Sequence, residues 1–110
     1  MNRILINLAL IVGLFSTQVI YASGDYARGM EKSQTCSACH GVDGNSDNKM
    51  YPKLAGQYKN YLINSLNSYK NGNRNNAIMT SFAAGLSDED IEDLATYFSE
   101  QRGLKVLPVK

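Results

Sequence analysis

The 110-residue chain has no tryptophan, three phenylalanines, one histidine and two cysteines, and its 11 basic residues nearly cancel its 10 acidic ones. Each shortage excludes something. Two cysteines permit one disulfide at most. With a single histidine beside them, a structural zinc site has no fourth Cys or His ligand. No basic tract is dense enough to point to nucleic acid. One of the three phenylalanines, Phe15, sits in the N-terminal stretch, so the rest of the chain offers a thin core. A domain this small usually needs a staple, a metal or a bound cofactor. The apolar run at 4–15 holds twelve residues, short against the roughly 20 that a membrane-spanning helix needs.

That run has a role of its own. Arg3 precedes it, Ser16, Thr17 and Gln18 follow, and Ile20-Tyr21-Ala22 offers a cleavage site before Ser23. This is the three-part layout of a secretory signal peptide. Residues 1–22 are therefore expected to be a leader removed on export, with an uncleaved anchor as the competing reading. Residues 23–110 are expected to form one domain. Within it, 23–81 hold seven basic and four acidic residues and 82–110 three basic and six acidic. Such an asymmetry can orient a docking partner.

The hydrophobic pattern predicts an all-α fold of about three main helices, with no strand periodicity and no internal repeat. The first spans about 25–33, with Asp25 as cap; Gly29 inside it costs about 1 kcal/mol relative to alanine and implies close approach of another helix. Met30 is read as core packing. The second spans about 57–71, where Tyr58, Tyr61, Leu62, Leu66 and Tyr69 recur at helical spacing and Gly72 follows as a stop. The third starts at Ser87, whose capping box closes on Asp90, carries an apolar stripe of Ile91, Leu94, Ala95 and Phe98, and ends by Gly103. Between them, 41–56 and 73–85 read as long irregular segments that need something to organise them.

Both cysteines and the histidine fall within TCSACHG at 35–41. A disulfide between Cys36 and Cys39 closes too small a loop to stabilise much. A dithiol switch expects an alternating strand–helix pattern that is missing. Covalent haem attachment needs this spacing: two thiols three residues apart for the porphyrin's vinyl groups, and His40 next to them for the iron. Haem would also supply the missing core. With no second histidine, the sixth ligand is expected to be a methionine, because Met/His is a recognised haem pair. Met79, 39 residues beyond His40 in an irregular segment, is the expected ligand, and Met50, ten residues beyond, is the alternative.

The motifs CSACHG at 36–41, YPKLAGQ at 51–57, YLINSLNSYKNG at 61–72 and NNAIMTSFAAGLSDEDIEDLATYFS at 75–99 together resemble a class I c-type cytochrome of the small bacterial periplasmic kind. The chain also resembles one half of the two-haem members. This resemblance implies a cytochrome c fold, with long loops wrapped around one covalently attached haem c. It implies that the Pro52 carbonyl accepts the His40 Nδ1–H bond and that Arg74 is a candidate propionate contact. Gly29 is implied at the crossing of the first and last helices, against Leu94, Tyr97 or Phe98. Tyr58, Tyr61 and Tyr69 are implied as core and haem-wall residues.

With both axial positions filled and no acid–base pair or nucleophile beside them, the expected function is one-electron transfer without catalysis. The chain would be a periplasmic carrier between redox protein partners, respiratory or dehydrogenase, with Lys49, Lys53 and Lys59 guiding docking. Competing readings are a dedicated cytochrome subunit of a periplasmic dehydrogenase, and a ligand-binding or catalytic haem protein in which Met79 is displaced.

Overall fold

The computed structural model describes residues 23–104, so the expected leader at 1–22 lies outside the described residues. Five helices follow in order: α1 Tyr26–Lys32, α2 Gln34–His40, α3 Lys59–Lys70, α4 Ala77–Ala84 and α5 Asp88–Ser99. No strand occurs among the described residues, and no helix there is long and apolar enough to cross a membrane.

The caps lie where side-chain chemistry puts them. Asp25 accepts the Arg28 backbone N–H at 2.8 Å to start α1. Ser87 and Asp90 form a reciprocal box at the start of α5, with bonds of 3.0 and 2.9 Å. Asp88, Glu89 and Asp90 sit in its first turn, where the exposed N–H groups favour negative charge. α3 stops at Asn71, and Gly72 takes a φ of +81° that a side chain would resist.

Two helices depart from the sequence-based expectation. α4 occupies part of the segment read as irregular, capped by Asn76, whose side chain accepts the Met79 backbone N–H at 3.0 Å. Its sequence, AIMTSFAA, is apolar almost all round, so it carries no polar face to reveal a period. α2 contains the CxxCH motif itself and has no apolar stripe. At the other end, α5 closes at Ser99 with Glu100 as its cap, four residues short of Gly103.

α1 and the residues leading into it meet α5 at two glycines. A Cβ at Gly29 would stand 2.1 Å from the Asp93 carbonyl oxygen and 2.9 Å from the Tyr97 Cβ, and one at Gly24 would stand 2.2 Å from the Glu92 carbonyl oxygen. Of the three expected contacts of Gly29, Tyr97 is thus among the nearest, but the α5 backbone at Asp93 comes closer than Leu94 or Phe98. Met30 is not core: it points outward and is 51 % exposed, because the glycine on its helix, not the methionine, faces α5. Leu62, Leu94, Ala95, Tyr97 and Phe98 form the buried cluster, with Cys36, Leu54, Leu66 and Leu86 packed against it. α3 and α5 therefore contribute one wall each to the space beside α2.

Candidate cofactor site

A cavity of about 660 Å³ opens between α2, α3, α4, α5 and the 50–57 loop. Cys36, Cys39 and His40 line one side, where a single turn of α2 sets them on one face. His40 is 7 % exposed, and its Nδ1–H donates to the Pro52 carbonyl at 2.8 Å. A carbonyl can only accept, so the bond places the proton on Nδ1 and leaves the Nε2 lone pair for a metal.

The loop that brings Pro52 to His40 is held by backbone bonds. Gly44, at φ +83°, accepts Leu54 N–H at 2.8 Å and Ala55 N–H at 3.2 Å. Ala55 in turn accepts Leu104 N–H at 2.8 Å, and Gly56 N–H reaches the Phe98 carbonyl at 2.9 Å. Nothing in the Gly-, Asn- and Asp-rich sequence of 41–56 showed that this segment is pinned to the end of α5.

Met79 is half-buried on α4 and lines the same cavity as His40. Met50 lines it too, from the rim, at 82 % exposure. Arg74 lies at the cavity with its guanidinium carbon 4.8 Å from the centre of the Tyr69 ring and Nη1 3.4 Å from Ser65 Oγ. Tyr61 and Tyr69 line the cavity as expected; Tyr58 lies outside the lining and is 42 % exposed. Two cations, Lys53 and Arg74, and no carboxylate are among the lining residues. Sequence reasoning missed Ile78 and Phe82, cavity residues one turn apart on α4 whose signal was the unread helix, and Tyr51, whose ring lies 6.3 Å from that of His40.

These residues suit a covalently bound haem. The donor set is one imidazole with its lone pair free, two thiols and two thioethers, around an otherwise largely apolar space. Burial pushes the Cys36 thiol up, the opposite of what a redox-active thiolate needs. Among the described residues no group of three or more His, Cys, Asp or Glu side chains could hold a bare metal ion.

An all-helical shell closing on an apolar cavity, with CxxCH along one side, defines the class of proteins that carry covalently attached haem c. The description of one family, Cytochrome c, matches residues 26–101, and the chain belongs to that family and has its fold. It is similar to cytochrome c4 of Pseudomonas aeruginosa, 44 % identical over 102 residues that cover 93 % of this chain and 50 % of the relative. It is also similar to cytochrome c-554(548) of Halomonas halodenitrificans, 50 % identical over 82 residues covering 72 % of this chain and 99 % of that one. The crystal structure of reduced recombinant cytochrome c4 from Pseudomonas stutzeri superposes with a TM-score of 0.70 at 44 % identity, over 74 % of this chain and 47 % of that one. The chain spans about half the length of the cytochrome c4 relatives it matches.

Proposed function

We propose that the chain is a periplasmic one-electron carrier with one covalently attached haem c, shuttling electrons between respiratory or dehydrogenase partners and performing no catalysis of its own. The observation that carries this reading is the convergence of Cys36, Cys39, His40 and Met79 on one cavity. Cys36 and Cys39 would hold the group through thioethers, His40 through Nε2, and Met79 through its sulfur. Haem c, when bound, supplies an iron that takes up and gives back one electron. Around it, the Pro52 carbonyl keeps the His40 proton on Nδ1 and raises the basicity of the opposite nitrogen. A thioether at Met79 favours the reduced state, and the apolar walls from Leu62, Leu94, Ala95 and Phe98 exclude water. Arg74 is positioned to meet a propionate. The single CxxCH supports a count of one haem in this chain. Residues 1–22 are proposed as the export leader and 23–110 as the mature domain.

The intact mass of the exported protein tests the proposal. Expected is the mass of residues 23–110 plus one haem, retained through acid–acetone extraction and lost when Cys36→Ser and Cys39→Ser are combined. A colourless product at the bare polypeptide mass, from a host able to mature c-type cytochromes, would overturn it. Adding carbon monoxide to the reduced native protein separates the ligand-binding alternative: a filled sixth position leaves the Soret band unshifted.

A further inference from the structure

We propose that Tyr51 is a positioning residue for the His40 imidazole, fixing the plane in which the ring presents Nε2 to the haem iron. The inference rests on the haem reading above and extends it to a residue outside the expected ligand set. The Nδ1–H bond to the Pro52 carbonyl, 2.8 Å long, fixes the direction of the N–H but leaves the ring able to rock about the N···O line. A second contact lying off that line is needed to stop the rocking. Tyr51 provides it: its ring centroid is 6.3 Å from that of His40 and the planes meet at 61°, an edge-on arrangement. Aromatic pairs prefer such geometry at centroid distances of about 4.5–7 Å, because the positive edge of one ring meets the negative face of the other.

Tyr51 is itself held in place. Its N–H donates to the Asn48 carbonyl at 3.0 Å, and Asn48 Oδ1 accepts the Met50 N–H at 2.9 Å, closing a tight turn before it. As the residue preceding proline, it is confined to extended backbone. Three residues further on, Leu54 N–H is tied to the Gly44 carbonyl at 2.8 Å. One anchored dipeptide, Tyr51-Pro52, therefore delivers both contacts to the same imidazole: an acceptor at Nδ1 and a steeply inclined aromatic ring beside it. Tyr51 also lines the cavity and is half-buried.

The orientation of an axial imidazole sets how its π system overlaps the iron d orbitals, so it is read in the g values of the ferric protein and in its haem-methyl proton shifts. These two spectra of the holoprotein are to be compared for wild type, Tyr51→Phe, Tyr51→Leu and Tyr51→Ala, with urea unfolding measured in parallel. Expected is a wild-type pattern in Tyr51→Phe, which keeps the ring, and an altered spread of methyl shifts with changed g anisotropy in Tyr51→Leu and Tyr51→Ala. Tyr51→Leu fills the volume without a ring, and so keeps the test open if the alanine variant fails to mature. Unchanged spectra in Tyr51→Leu would overturn the inference, as would a Phe variant that matches Leu, since the hydroxyl would then be the contact that matters. Wild-type protein without haem absorption would instead refute the haem reading, before any variant is compared.

Discussion

At the scale of single residues, the proposed ligand set divides into members that share one turn of helix and members that the chain must bring from afar. Cys36, Cys39 and His40 adjoin in sequence, so their spacing alone states what they can hold. The proposed sulfur ligand is different, because Met79 and Met50 both line the cavity and differ in burial. A sulfur on ferric iron gives a weak charge-transfer band toward the red end of the spectrum. Met79→Ala is expected to abolish that band and Met50→Ala to leave it; a band surviving in Met79→Ala would assign the sulfur to Met50. The partners of His40 illustrate the limit of sequence. The carbonyl of Pro52 came only with a family resemblance, and the ring of Tyr51 could not be anticipated, because Pro52 lies twelve positions beyond His40 in the chain while a hydrogen bond joins them in space.

At the scale of elements, the α1–α5 crossing is both a close backbone approach and an acid-sensitive point. Asp93 is 1 % exposed and accepts bonds from Arg28 Nε at 2.7 Å, Arg28 Nη2 at 3.2 Å and the Asp25 backbone N–H. Burial pushes the Asp93 carboxyl up, but the Arg28 hydrogen bond, the Asp25 N–H and the guanidinium charge together outweigh it and hold the carboxyl below its ordinary range. Hydrogen bonds from Lys32 and from the Ser87 backbone lower Asp90 as well. A carboxyl whose folded pKa is depressed contributes its stability above the unfolded value of about 4 and loses it as pH falls through the folded value. The urea midpoint is therefore expected to hold steady from neutrality to about pH 5 and to fall below about pH 4. Asp93→Asn is expected to cost about 1–3 kcal/mol at neutral pH, since a buried charge-assisted acceptor is lost, and to flatten the acid limb. An acid limb as steep as that of wild type would remove Asp93 from the account. The helices themselves were legible unevenly. α1 and α5 announce themselves by their caps and α3 by its apolar spacing and the Gly72 stop; α2 and α4 do not, because one has no stripe and the other is apolar on nearly every side.

At the scale of the whole molecule, charge is sorted by pairing rather than by position in sequence. The acidic residues of α5 are taken up by cations from α1 and α3: Glu89 by Arg28 at 3.0 Å, Asp90 by Lys32 at 2.8 Å, Glu92 by Lys59 at 3.1 Å and Asp88 by Lys70 at 3.3 Å. Such exposed pairs add little stability each, yet they offset most of the helix's negative charge and occupy Lys59, which the sequence had offered for docking. Lys49 and Lys53 keep no ion pair among the described residues, and Lys53 lines the carboxylate-free cavity beside Met50. An acidic redox partner docking at this rim would meet Lys53 and Arg74, with the Asp43 carboxylate near enough to Lys53 to feel its charge. Electron exchange with such a partner is expected to slow as ionic strength rises. Lys53→Glu is expected to lower the association rate about tenfold at low salt, against a much smaller effect for Lys59→Gln. Equal effects of the two variants in stopped-flow measurements would mean that docking occurs elsewhere.

The sequence by itself determined the all-α class, three of the helices, and the cysteine–histidine set that makes a haem site the chemistry to look for. These are local properties, written in the spacing of neighbours along a helix or in the chemistry of a side chain at its end. Only the tertiary structure decided that the 41–56 loop is pinned against the end of α5, that Tyr51 stands against His40, that Met79 rides on a helix, and which lysines are already paired. Each of those depends on residues tens of positions apart meeting across a packed interface, and no local pattern encodes such a meeting.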